Sequence, residues 1–223
     1  MVENKYQIGV RRFGLVNWVG AKHLYLKEIN RFLVVWAQTL LSPLITSLLF
    51  LSVLSLALGN ERGNVLGYPF ITFLAPGLIA MQIIQQAFSH SSSSIMIGKI
   101  QGNIVDMLFA PLSASEVTLS IILAAVTRSL LIAVISIVFF SLFVDIFITN
   151  VFIIFIYAFL GSFILGAAGF CAGLWAEKFD HMATVTNFFI IPLSFLSGTF
   201  YTIDKLPNFL QSLRDLQFPK HYH

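Results

Sequence analysis

Five stretches of the chain are apolar over long distances: residues 32–58, 70–88, 117–144, 151–176 and 184–201. Four of them carry no charge, and the third carries only Arg128. A helix rises about 1.5 Å per residue, so about 20 residues cross a 30 Å hydrocarbon core. The pattern predicts an all-α integral membrane protein, a polytopic bundle with five transmembrane helices. The first, third and fourth runs exceed the need and are expected to tilt or extend past the core. The fifth is short and carries Pro192 and Gly198, so a broken or half-entering helix is expected there.

Two segments outside these runs have a mixed pattern. Near the N-terminus, Trp18, Tyr25, Ile29 and Phe32 recur at helical spacing, while Lys22, His23, Lys27, Glu28 and Arg31 fall mostly elsewhere on the wheel. Aromatic residues on one side and basic residues on the other suit a helix lying in the headgroup plane. A plain polar tail is the simpler alternative. Between the second and third runs stands IMIGKIQGNIVDMLFAPLSASE, residues 95–116. Ile97, Ile100, Ile104, Leu108 and Pro111 follow one three-to-four-residue period, and Lys99, Asn103 and Asp106 follow it on another face. This predicts a short amphipathic helix ended by Pro111, with its apolar side on the membrane end of the bundle and its polar side in water. Periodicity alone does not separate a docking element from an ordinary interfacial loop.

Basic residues set the orientation. Six precede the first run: Lys5, Arg11, Arg12, Lys22, Lys27 and Arg31. Lys99 and Lys178 lie in the two loops on the same side, whereas the opposite side has Arg62 in a loop and Lys205, Arg214 and Lys220 in the tail. The N-terminus and residues 95–116 are therefore expected in the cytoplasm. Composition agrees with a membrane protein: 57% of the 223 residues are hydrophobic, 10% are charged, and 23 are Phe. Soluble domains are typically about 25% charged. The net charge of +3 follows topology and gives no nucleic-acid signal. The lone Cys171 lies inside an apolar run, where a small packed residue is expected.

Several chemistries find no residues to carry them. There is no G-x-x-x-x-G-K-[ST] loop to cradle nucleotide phosphates, no H-E-x-x-H and no Cys/His cluster with metal spacing. His23, His90, His181, His221 and His223 are scattered, and His90 beside Ser91–Ser94 reads as a solvated helix exit rather than a nucleophile with its base. A secondary transporter would be expected to show repeated halves and several intramembrane charges, and only Arg128 qualifies. Arg128 has three readings: it marks a polar translocation path, it snorkels, or its helix starts later than the apolar run. Gly161, Gly166, Gly169 and Gly173 allow close helix approach, for which packing within the subunit is the favoured reading.

Four motifs in order carry a resemblance. They are KEINRFLVVWAQTLLSPLI entering the first run, FITFLAPGLIAM in the second, KIQGNIVDMLFAPLSASE between the second and third, and LWAEKFDHMATVTNFFIIPLSFLSGTFYTIDKLP around the fifth. From about His23 to Asn208 the chain resembles permease subunits of the ABC-2 type export family. The resemblance implies a subunit that pairs with a second permease, as a homodimer or heterodimer, and meets separate ABC ATPase subunits from the cytosol. ATP and Mg²⁺ would be held by the ATPase, with no cofactor on this chain and no enzymatic role for it. It implies a coupling helix at about residues 98–111, using Lys99, Gln101, Gly102, Asn103, Asp106, Met107 and Pro111. Beside it would lie an interface helix at about residues 18–31, with Trp18, Lys27, Glu28 and Arg31. Ser197, Gly198 and Tyr201 would start an external re-entrant segment near the outer gate; Arg128 is a translocation-path candidate only through the first of its three readings above.

The implied organisation is a cytoplasmic N-terminus (1–31), a permease domain (32–201) and an extracytoplasmic tail (202–223). Relatives continue past the Leu-Pro into a sixth span, whereas this chain ends DLQFPKHYH. A truncated or frameshifted product, or a fragment, is expected, with the missing helix encoded just downstream in another frame. The leading function is the permease subunit of an ATP-driven exporter in the bacterial inner membrane. The alternative is a non-transporting membrane scaffold or an inactive truncated permease.

Overall fold

The computed structural model describes residues 16–58, 64–65, 68–146 and 150–196. Helices α1 (Trp18–Val34), α2 (Ser42–Leu58), α3 (Phe70–Ile100), α4 (Ile104–Phe109), α5 (Ala114–Phe140), α6 (Val151–Trp175), α7 (Phe179–Val185) and α8 (Ile191–Leu196) follow in order. A pair of two-residue strands, β1 (Asn64–Val65) and β2 (Tyr68–Pro69), pairs antiparallel just before α3. The protein is otherwise helical among the described residues.

The hub is α3, which packs against α5, α6 and α2, while α1 packs on α5. At the Phe70 end, Leu51, Phe70, Leu74, Leu78, Phe140 and Val144 form an apolar knot joining α2, α3 and α5. At the other end, Ile95, Ile121, Ile122, Val126 and Phe170 join α3, α5 and α6. The glycines of α6 make the α3 contact possible. A side chain at Gly169 would collide with the backbone of Phe88, and one at Gly173 would stand 2.9 Å from the Ser92 carbonyl oxygen. Packing within the subunit, as expected, explains these two. Gly161 faces open space, and Cys171 is exposed on α6 rather than packed.

Four helices among the described residues are long and apolar enough to cross a membrane: Ala37–Ala57, Phe70–Ile100, Ala114–Phe140 and Val151–Trp175. Several sequence boundaries move. Phe32 belongs to α1, which stops at Val34, and the first spanning helix starts at Ala37 rather than at residue 32. The second spanning helix runs 12 residues beyond Phe88, to Ile100. The third starts at Ala114 and ends at Phe140 rather than Val144, and the fourth matches its expected bounds to within a residue. A fifth spanning helix over 184–201 does not appear among the four. Helix begins earlier, at Phe179, and is described as far as Leu196.

Two π turns, Ala37–Leu41 and Thr186–Ile190, share one cause. Each ends two residues before a proline, Pro43 or Pro192. Proline lacks the N–H for its i−4 carbonyl and its ring crowds that carbonyl. Widening the preceding turn to an i−5 bond, Ser42 N–H to Ala37 O and Ile191 N–H to Thr186 O, keeps the helix running. Pro192 therefore widens its helix rather than breaking it.

Candidate functional site

One end of the bundle gathers most of the residues singled out by sequence. Ser113 and Glu116 form a reciprocal capping box at the start of α5. The other oxygen of Glu116 accepts the Asn17 N–H at 2.6 Å, Asn17 Oδ1 caps α1 through the Gly20 N–H, and Asn17 Nδ2 donates to the Pro111 carbonyl at 3.1 Å. Farther along, Ser120 Oγ donates to Ala21 O at 3.1 Å, and the Tyr25 hydroxyl meets Thr127 Oγ1 at 2.8 Å. Residue numbers rise together on both helices, so α1 lies lengthwise and parallel to α5. The Ser-x-x-Glu spacing was the available sequence signal for Glu116, and it went unused.

The inner face of α1 differs from the expected one. Leu24, Glu28 and Phe32 are buried, spaced four apart, and Arg31 turns inward beside them. Trp18 is 77% exposed, and Lys27 is exposed. Glu28 and Arg31 thus belong to the packed face and Trp18 to the outer one, because the two charges pair with each other and meet His90 on α3.

The segment between α3 and α5 is a helix end, a turn and a short helix, not one amphipathic helix over 98–111. Gly102 has φ +76°, a left-handed turn that glycine adopts without steric cost. Asn103 Nδ2 donates to Gln101 Oε1 across it. Within α4, Ile104 and Met107 pack inward on the α3–α5–α6 cluster. Leu108 is 75% and Phe109 86% exposed, with Val105 and Asp106 beside them. The apolar positions are therefore divided between the bundle and the outside, and Leu108 does not rest on the bundle as expected. Pro111 lies beyond α4 and is exposed. The Lys99 ammonium donates to the carbonyls of Leu174 and Ala176. It satisfies the open C-terminus of α6, where a cation also suits the helix dipole.

A buried polar cluster joins α1, α3 and α5. Arg128 Nη2 donates to Gln86 Oε1 at 2.7 Å, and Arg128 Nη1 and Arg31 Nη2 both lie 3.5 Å from His90 Nδ1. Guanidinium can only donate, so His90 Nδ1 is the acceptor and its proton sits on Nε2. That nitrogen is 3.6 Å from Glu28 Oε2, which also accepts from Arg31 Nε at 3.0 Å. Arg31 Nη2 donates further to the His90 carbonyl at 3.2 Å, and Phe32 stands edge-on to the imidazole. Arg128 sits 14 residues inside α5, which removes the reading that its helix starts later. It is buried and hydrogen-bonded across to α3 instead of reaching out of the bundle. Sequence reasoning set His90 aside and did not consider Gln86. Their i, i+4 spacing on α3 is the trace they leave in the sequence. Ser197, Gly198 and Tyr201 lie outside the described residues.

Comparison with known proteins identifies the family. The family model for the ABC-2 type transporter matches residues 21–222. The chain is 31% identical over 199 residues to the inner membrane transport permease YadH of Escherichia coli K12, covering 89% of this chain and 78% of the relative. A YadH from Shigella flexneri matches to the same extent. No solved structure gives a significant match. With the family model spanning most of its length, this chain belongs to the ABC-2 type transporter family.

Proposed function

We propose that the chain is a membrane-spanning permease subunit of an ATP-driven exporter, and that α4 is the surface its separate ATPase subunit engages. The observation that carries this reading is the exposed group Val105, Asp106, Leu108 and Phe109. It protrudes on a short helix whose other face is anchored by Ile104 and Met107. A load-transmitting contact needs apolar anchors offered outward and a firm seat behind them, and α4 has both. The turn at Gly102 and the Asn17–Pro111 bond pin the segment at its two ends, so that α3, α5 and α1 would move with it. Gln101, Asn103 and Asp106 form the polar border of the contact, while Lys99 holds α6 in place behind it.

Lys and Arg in the N-terminal flank favour a cytoplasmic N-terminus, which puts α4 on the ATP side. Transport is the activity named for the YadH relatives, and two permease chains would complete the path. The test is a pull-down from native membranes in mild detergent. The wild type should bring down a stoichiometric soluble protein with a Walker A loop. Leu108→Asp with Phe109→Asp should reduce its recovery about tenfold, equivalent to about 1.4 kcal/mol, with an unchanged melting temperature for the permease itself. An intact wild-type chain without an ATPase, or undiminished recovery in the variant, would overturn the proposal.

A further inference from the structure

The buried cluster is unevenly neutralised. Glu28 is bonded to Arg31, whereas Arg128 has only two neutral acceptors, Gln86 Oε1 and His90 Nδ1, among the described residues. Arg128 is 9% exposed, and its Nε has no partner. Two guanidinium groups therefore converge on one uncharged nitrogen. A cation held in this way in a membrane helix is costly, and such residues pair with counter-charges.

Position argues for what that counter-charge is. His90 lies in the half of α3 that adjoins α1, and the cluster opens there through Arg31, whose side chain is 29% exposed. The exposed Lys22, His23 and Lys27 of α1 add positive charge along the approach.

We infer that Arg128 and Arg31 form a binding site for a phosphate group, that of an anionic phospholipid headgroup, with Glu28 as an internal carboxylate the phosphate competes against. Both guanidiniums can offer paired N–H donors to phosphate oxygens, the geometry in which arginine binds such groups most strongly. Arg128 Nε gains an acceptor, and Arg31 exchanges Glu28 for the ligand. The site does not depend on the ATPase contact at α4, so it stands or falls separately from the permease reading.

The test is native mass spectrometry of the full chain titrated in detergent with phosphatidylglycerol and, in parallel, phosphatidylcholine. Phosphatidylglycerol should bind at least tenfold more tightly. Arg128→Gln should abolish that preference, Arg128→Lys should keep part of it, and Glu28→Gln should raise affinity severalfold by removing the competitor. The last variant keeps the inference testable if Arg128→Gln does not fold. A purely structural network predicts the opposite for Glu28→Gln, since a damaged cluster binds nothing better. Equal affinity for the two lipids, or weaker phosphatidylglycerol binding in Glu28→Gln, would overturn the inference. Inorganic phosphate added in competition identifies the source: displacement of lipid means a free phosphate suffices, and no displacement means the site needs the whole lipid, both of which support a phosphate site.

Discussion

The two halves of α3 are held by different means. From Phe70 to Ile83 the helix sits in an apolar knot with Leu51, Ala133, Phe140 and Val144. From Phe88 onward it is held by close backbone contact with Gly169 and Gly173, by two arginines on His90, and by Lys99 reaching across to α6. The first kind of contact is non-directional, and hydrophobic neighbours of similar volume can replace each other. The second depends on distance and angle, so small changes there have no nearby substitute. The half that is held by geometry is the half that adjoins α1 and α4. Under the proposed engagement of α4 by an ATPase, the directional half would be the end that moves and the apolar half the base it moves against.

The largest effect should come from breaking the close backbone approach. Any side chain at Gly169 meets the Phe88 carbonyl and Cα, atoms that cannot rotate away. Gly169→Leu should cost about 3 kcal/mol or more through overpacking and separation of α6 from α3. The measurement is the yield of monodisperse protein after extraction together with its melting temperature. A variant that melts like the wild type would show that α6 slides freely on α3, and the contrast between the halves would lose its main support.

The same contrast explains what the sequence revealed. Helices α5 and α6 were legible because their apolar runs, 117–144 and 151–176, are long and carry at most one charge. The second half of α3 was not. His90 and four serines read as a solvated helix exit, since serine competes for backbone hydrogen bonds in water. Inside the bundle, Ser92 and Ser93 donate to the carbonyls of Ser89 and His90 without ending the helix, and Ser91 and Ser92 are small enough to admit the glycines of α6. Glu28 and Arg31 were assigned to the outer face for a related reason. A lone charge on a helix wheel reads as solvated, and the partners that bring these two inward lie 59 or more residues away. Short-range periodicity carries no trace of such partners. The exposed side of α4 was hidden by its own pattern, because outward Leu108 and inward Ile104 are both apolar at helical spacing.

An intermediate effect is expected in the apolar half. Phe140 is fully buried in the knot. In a soluble core Phe→Ala costs about 3–5 kcal/mol. In a bilayer the exposed alternative is also apolar, so only packing and cavity terms remain. Phe140→Ala should therefore cost about 2 kcal/mol, and Phe140→Leu less than half of that, both read as shifts in melting temperature. Equal damage from Leu and Ala would mean this half also requires a fitted shape, which would remove the distinction drawn here.

The smallest effect sharpens the comparison from within the apolar half. Ser136 Oγ donates to Gln82 Oε1 at 2.9 Å, and Gln82 Nε2 in turn reaches the Pro43 carbonyl at 3.4 Å. This chain links α5, α3 and α2 beside the apolar knot. Hydrogen bonds between membrane helices average about 0.6 kcal/mol, because the separated helices also find partners in the bilayer. Ser136→Ala removes one oxygen and leaves Gln82 Oε1 without that donor, so the expected loss is about 0.6 kcal/mol. If apolar packing aligns these helices, the melting temperature shifts by a small fraction of the Phe140→Ala shift. A loss as large as that of Phe140→Ala would mean the Ser136–Gln82 pair sets the register of the first half, and that both halves of α3 are held by directional contacts.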